Sequence, residues 1–350
     1  MRAHAIDSTA VGDRQRGWIL AEEVRSTAGK RLFRKGSRID KDVLEQWTEV
    51  APATLHLIEP EPEDLHEDEA GRRIAMAVGG EGLTVKGPIQ SRYNLIADRK
   101  GLLRVDADLL RDVNRVAGAT VFSLLDRQTV VSGKVVAGVK VTPITLPEAR
   151  VIEIERLCAK AERPPIVVLP FAPKEVFVVA TEDLNEKMRE RFNAMVARKI
   201  NWYGSEVIDV QFVDADAESV AEAFRDGLSR GANILMAAGG NTIDPLDPIF
   251  LALDEIDAEM VHFGAPAHPG SMFWLAEVGD VPIFNLASCS MYSKATVADL
   301  ILPLVMTGQK VVSDDIVELG YGGLLGREMA FRFPDYDAES SDEGDDTSEE

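Results

Sequence analysis

Cysteine is nearly absent: only Cys158 and Cys289 occur in 350 residues. Two thiols cannot build a disulfide framework or a thiolate zinc site, and they read as reduced cysteines of a cytoplasmic protein. Basic charge is also scarce. The chain has 38 Lys and Arg against 59 Asp and Glu, a net charge of −21. General binding to DNA, RNA or an anionic membrane asks for a basic face, so neither nucleic acid nor membrane is an expected partner. Long apolar runs are missing as well. No stretch approaches the roughly 18 apolar residues of a membrane span. The longest candidates, Ile166–Pro173 and Leu300–Met306, are short and contain proline. Met1–Arg16 is polar and no apolar segment follows it, so no secretory signal is read.

What remains is an ordinary globular balance, 45% apolar and 28% charged, over a length that calls for two or three domains. Residues 1–62 read as a small β-rich unit and 63–165 as a mixed α+β region. Residues 166–334 read as an α/β domain, with the diproline Pro164-Pro165 as its boundary. Residues 335–350 hold nine acids and no Lys or Arg, which predicts a disordered acidic tail. The run Glu59–Glu69, with two prolines among acids, reads as a linker or exposed turn, and His66 within it lacks a second His at ligand spacing.

Strand–helix alternation begins at Ile166. Val176–Ala180 is a continuous apolar run, suited to a strand buried on both faces. Asn185–Tyr203 places Met188, Phe192, Met195, Val196 and Ile200 at helical spacing and ends before Gly204. Val207–Val213, Ile234–Ala238, Met260–Phe263 and Val281–Leu286 supply further strands. Asp216–Arg230, a helix opened by Asp247-Pro248, and Ser293–Met306 supply helices, with Ser293 as a plausible cap of the last. The pattern predicts a three-layer α/β domain with a mostly parallel sheet, preceded by a smaller β-rich region.

In such a sheet ligands bind beyond the carboxyl ends of the strands. Three loops of small polar residues fall there. The first holds Gly239, Gly240, Asn241, Thr242, Asp244 and Asp247. Its glycines let backbone N–H groups face an anion, while Asp244 and Asp247 suit hydroxyls, a metal or proton transfer. Equally, the glycines can simply make the turn and Asp247 can simply cap the helix. The second loop holds His268, Pro269, Gly270 and Ser271; the third holds Ser288, Cys289 and Ser290. Gly320-Tyr-Gly322-Gly323-Leu-Leu-Gly326 has the wrong spacing for a dinucleotide fingerprint and reads as a C-terminal loop packed on the body. His262, in an apolar strand, reads as a satisfied core histidine. Cys289 with His268 lacks an orienting third group for a nucleophile.

An ordered series runs through Thr181-Glu-Asp183, Gly239-Gly240, Asp247, His268-Pro-Gly-Ser271, a Met272–Leu275 to Val281–Phe284 hairpin and a Ser/Cys loop before a helix with Pro303. In this series the sequence from about Val176 to Gly308 resembles the molybdopterin-binding domain shared by molybdenum insertases and molybdopterin adenylyltransferases. Gly17-Trp-Ile-Leu-Ala-Glu-Glu-Val and Arg34-Lys-Gly-Ser extend the resemblance weakly toward the N-terminus. The resemblance implies molybdopterin or the molybdenum cofactor as ligand, with Thr181, Asp183, Gly239–Thr242, Asp244, Asp247, His268–Ser271, Ser288 and Ser290 around it. It further implies Asp247 as the catalytic and metal-positioning group, with Mg as the ion. A molybdoenzyme client and a homodimer follow from it as partners. The chain departs from insertases in having His268 and Ser271 where lysines are usual, and Pro245 where a second carboxylate is usual. Ala287–Ser290 stands where Pro-Gly-Asn-Pro is usual. Three readings stay open: a molybdopterin molybdenumtransferase-like enzyme, a binding-only carrier, and a non-catalytic regulatory or scaffold protein with a degenerate pocket.

Overall fold

The computed structural model describes residues 1–240, 244–286 and 296–336. The chain divides into two compact units. The first comprises Met1–Arg99, Arg104–Asp126 and Ser132–Val168; the second comprises Lys100–Leu103, Arg127–Val131 and the chain from Leu169 onward. Among the described residues no helix is long and apolar enough to cross a membrane.

In the first unit, strand Thr54–Glu59 sits between Arg2–Asp7 and Ile19–Leu20 in an antiparallel sheet. Leu20, Leu55 and Leu57 from these strands close a small core with Phe33 and Trp47. The Trp47 indole N–H donates to the Ser8 carbonyl at 2.9 Å, which satisfies the polar end of a buried ring. Here Asp40–Val50 forms one short helix, Lys41–Glu45, and then a 3-10 turn at Trp47–Glu49. A second, four-stranded sheet orders Ala119–Ser123, Val135–Val141, Arg92–Ala97 and Leu83–Ile89.

The acidic run Glu59–Glu69 is folded and not a linker, with an exposed turn only at residues 61–63. Asp64–His66 pairs with Thr145–Pro147, and Glu67 opens helix Glu67–Val78. Three of the acids that suggested a solvated spacer, Glu67, Asp68 and Glu69, lie in the first turn of that helix, where its dipole favours negative charge. His66 caps the helix: its Nδ1 accepts from the Asp68 N–H, and its Nε2 lies 2.9 Å from the Gly36 carbonyl.

Helix Glu67–Val78 also carries Arg73, whose guanidinium bonds Glu155 through two nitrogens at 2.8 Å each and Glu148 at 2.6 Å. The Arg73 hydrogen bond holds the Glu155 carboxyl below the ordinary glutamate value of 4.5. A depressed folded value means this stabilisation is complete above about pH 4.5 and is lost as pH falls through the lower folded value. Urea unfolding of Arg73→Met should therefore show a stability deficit at pH 7 that shrinks at pH 3. A deficit that does not change with pH would assign the loss to packing.

The second unit is built on a six-stranded sheet. Its strands are β1 (Glu175–Ala180), β2 (Glu206–Phe212), β3 (Ile234–Ala238), β4 (Glu259–Phe263), β5 (Trp274–Val278) and β6 (Val281–Leu286), in the order β2-β1-β3-β6-β5-β4. The first three pairings are parallel and the last two antiparallel, so five of the six strands run one way and β5 alone runs against them. The reason is local. Only Gly279 and Asp280 separate β5 from β6, and so short a connection can join only antiparallel neighbours.

The helices are α1 (Glu186–Trp202), α2 (Ala217–Ser229), α3 (Pro248–Glu255), α4 (Val297–Met306) and the short α5 (Ser313–Val317). Caps open the first three: Asn185, Asp216 and Asp247 each accept a backbone N–H from the first turn. Alternation along β1 sorts the packing. Val176, Val178 and Ala180 join Phe192, Val196 and Ile200 of α1 and the residues of α4, whereas Phe177 and Val179 join Val220 and Phe224 of α2 and Ile249 and Leu253 of α3. The Val176–Ala180 run is buried throughout, as its unbroken apolar character predicts.

Candidate functional site

Register places the strand ends. Phe212, Ala180, Ala238 and Leu286 stand side by side as the last residues of β2, β1, β3 and β6. Phe263, the last residue of β4, faces Trp274, the first of β5. The Trp274 N–H donates to the Asn285 side chain at 2.9 Å, so this end of β4 lies level with the other strand ends. The loops carrying Thr181, Gly239 and Pro269 therefore leave one end of the sheet. Ser288 and Ser290 follow Leu286, and they, with Cys289, Ser293, Asn241 and Thr242, lie outside the described residues.

Thr181, Gly239, Gly240 and Asp247 are brought together. The Thr181 N–H donates to the Ala238 carbonyl at 2.9 Å. Gly239 and Gly240 have φ of +99° and +83°, backbone that disfavours an L side chain. A Cβ on Gly239 would stand 2.6 Å from the Thr181 hydroxyl, and one on Gly240 would stand 2.8 Å from Asp247 Oδ1. The two glycines thus form a close-walled cradle between the Thr181 loop and the start of α3. Asp247 is 6% exposed and caps α3, its Oδ1 accepting from the Ile249 N–H at 3.0 Å. Asp244 is exposed and its carboxylate closes a turn by accepting from the Leu246 N–H. Asp183 is exposed.

His268 through Ser271 form a second group at the same sheet end. The His268–Pro269 peptide is cis. The His268 and Ser271 residues are exposed. This loop is held from two sides. The His268 N–H donates to the Gly323 carbonyl, and the His268 carbonyl accepts from the Leu325 N–H, both at 2.8 Å. The Gly320–Gly326 segment is thus a brace of the Pro269 loop, consistent with its reading as chain packed on the body. On the other side, Gly270 lies so close to α4 that a Cβ would meet the Val297 nitrogen at 2.8 Å. A cleft of about 480 Å³ beside α3 is lined by Pro245, Phe250, Met260 and Phe263; it includes none of the other residues of the candidate site.

Three features of the site escape sequence reading. Asn285 is buried in β6, and its amide bridges Trp274 N–H and the Met272 carbonyl, fixing the entry of the Pro269 loop into β5. Lys199 and Asp299 form a buried ion pair between α1 and α4, at 2.8 and 3.0 Å. The cap of α4 is Thr296, whose N–H donates to Asp299 at 2.9 Å. Each had a signal: Asn285 interrupts an apolar run, Lys199 lies on the inward stripe with Val196 and Ile200, and Asp299 lies in the otherwise apolar α4.

Among the described residues no group of three or more His, Cys, Asp or Glu could hold a metal ion. Asp247, partly engaged as a helix cap, is a single carboxylate and does not by itself fit Mg. His262 is half-buried and bonded to the Ser313 hydroxyl at 2.7 Å, a satisfied histidine. Burial pushes the Cys158 thiol up to about 11, which keeps it protonated and unreactive.

No protein-family model matches the sequence, and no curated protein does. Solved structures are similar in part. The molybdopterin biosynthesis Mog protein from Mycobacterium ulcerans aligns at 15% identity over 38% of this chain and 95% of its own, with a TM-score of 0.29. A MogA structure aligns at 20% identity over 38% of this chain and 92% of its own, with a TM-score of 0.28. The molybdopterin biosynthesis MoeA protein from Pyrococcus horikosii aligns at 12% identity over 70% of this chain and 81% of its own, with a TM-score of 0.27.

Proposed function

We propose that the strand-end site of the second unit binds molybdopterin or the molybdenum cofactor, and that the chain serves the biosynthesis of that cofactor or its delivery to a molybdoenzyme. The observation that carries this reading is the meeting of the Thr181, Gly239–Gly240 and Asp247 motifs in one cradle, with the Pro269–Gly270 loop at the same sheet end. Backbone N–H groups of the glycine turn suit a phosphate or the edge of a pterin ring, since nothing projects from Cα to hold the ligand away. Asp247 borders that turn with a fixed carboxylate. His268 and Ser271, exposed where insertases carry lysines, bring no lysine charge to this loop for molybdate. That favours binding and delivery over molybdenum insertion. The protein purified from its native cell should release a fluorescent pterin after oxidation, in near-stoichiometric amount, with molybdenum measured alongside. No pterin at any preparation, and no uptake of added molybdopterin, would leave the scaffold reading.

Asp247→Asn separates capping from ligand contact. An amide oxygen accepts from Ile249 as a carboxylate does, so stability should change by only a few tenths of a kcal/mol. Pterin affinity should fall about tenfold, the loss of one charge-assisted contact. Asp247→Ala should lose about 0.5–2 kcal/mol of stability in addition. Melting temperature and pterin titration on the two variants check this; an Asn variant with undiminished affinity makes Asp247 a cap alone.

A further inference from the structure

Tyr336 falls within residues 335–350, expected to be a disordered acidic tail, yet its ring enters the apolar core of the second unit; residues 337–350 lie outside the described residues. It lies edge-on to Trp202, with centroids 6.0 Å apart, and 5.4 Å from the Lys199 ammonium. Its hydroxyl donates to Asp299 Oδ1 at 2.9 Å and lies 3.3 Å from the Tyr203 hydroxyl. Asp299 is 2% exposed and gathers donors from three directions: Lys199 from α1, Tyr336 from the C-terminal segment, and the Thr296 N–H and hydroxyl from its own helix start. A buried carboxylate is tolerated only when its oxygens are so answered. Burial raises the Tyr336 hydroxyl well above the ordinary tyrosine value, so it stays a donor.

The first turn of α4 thus has two fixed neighbours. Asp299 ties it to Tyr336, and Val297 abuts Gly270 with no room for a methyl group. Contacts run without a gap from the root of the tail, through Asp299 and Thr296–Val297, to the Pro269–Gly270 loop. The tail beyond, residues 337–350, carries eight carboxylates and no Lys or Arg.

We propose that Tyr336 is a positioning residue that couples the root of the acidic tail to the first turn of α4 and, through it, to the strand-end site. The ligand half of this coupling rests on the pterin reading above; the tie between Tyr336 and α4 does not. If the tie sets the helix start, whatever draws the tail away loosens the wall against Gly270. By linkage, a ligand that steadies that wall also steadies the tail root.

Amide hydrogen exchange on the full chain tests this with a mild variant. Tyr336→Phe keeps the ring and removes only the hydroxyl, so it should fold. Exchange at Val297–Leu300 should speed up about tenfold, the effect of one lost hydrogen bond to a charged group. Tyr203→Phe, which removes a neighbouring hydroxyl that does not bond Asp299, should leave those amides unchanged. Equal rates in Tyr336→Phe and the parent chain, or equal acceleration in both variants, would overturn the tie. Added molybdopterin should then slow exchange at Thr296–Asp299 and at Phe333–Tyr336 together in the parent chain, and only at the former in Tyr336→Phe. Slowing at the helix start alone in the parent chain overturns the coupling. No slowing anywhere removes the pterin reading and leaves the Tyr336–α4 tie standing on its ligand-free rates.

Discussion

Lys199→Met should destabilise the second unit by about 3–5 kcal/mol, the usual cost of leaving one member of a buried ion pair without its partner. Lys199 and Asp299 are both buried, and the ammonium reaches both carboxylate oxygens. Methionine fills much of the volume of the lysine stem, so little of the loss comes from a cavity. The remaining donors of Asp299, Tyr336 and Thr296, place the expected loss toward the lower end of that range. The companion change Asp299→Asn in the same chain should recover part of it, because the neutral amide removes the stranded charge while its oxygen can still accept from Thr296 or Tyr336. Urea unfolding followed by tryptophan fluorescence reads the result, Trp202 lying in the same cluster. A single variant that loses under 1 kcal/mol, or a double variant no better than the single, would contradict a role for the pair in stability.

Gly239→Ala should cost about 2–5 kcal/mol and also weaken ligand binding. Two penalties combine. At φ +99° an alanine is strained by roughly 1–2 kcal/mol. Its methyl would also press on the Thr181 hydroxyl at 2.6 Å and the Glu182 Cγ at 2.9 Å, an overpacking worth about 1–3 kcal/mol. Gly279→Ala in the β5–β6 turn provides the comparison. There φ is +58° and nothing lies within 4 Å of the added methyl, so only the smaller strain remains. Denaturation midpoints of the two variants should differ clearly, and equal midpoints would mean that the Thr181 loop yields without cost.

How much of this was legible in the sequence depends on whether the cause was local. Strand β1 announced itself because a buried strand needs an unbroken apolar run. Helices α1 and α2 announced themselves by apolar residues at helical spacing, and α3 by its Asp247-Pro248 start. The glycine turn was legible for the same reason. The acidic run at Glu59–Glu69 misled, since composition cannot distinguish acids in a solvated spacer from acids in a helix's first turn. Val130–Val141 reads from the sequence as strand punctuated at Gly133 and Gly138; the turn at Gly133 divides Thr129–Val130 from Val135–Val141, and nothing local shows that the two pieces join different sheets. Which strands pair, and in which direction, is a long-range matter that no window of sequence carries. The Lys199–Asp299 pair belongs to that class: each residue is an oddity in its own helix, and only the fold shows that the two oddities answer each other.

The level row formed by Phe212, Ala180, Ala238 and Leu286 has a consequence for how such a chain can change over time. Each strand delivers its loop at the same height, above side chains that are already closed below. Insertions or exchanges in one loop need not disturb the platform. New specificity can therefore be acquired piecemeal, and lost piecemeal, while the frame persists. Two loops are exceptions: the Pro269 loop, braced by Gly323 and seated at Gly270, and the Gly239–Gly240 turn, seated against Thr181 and Asp247. Neither is free to drift, and a lineage that alters one must revise its neighbours in step.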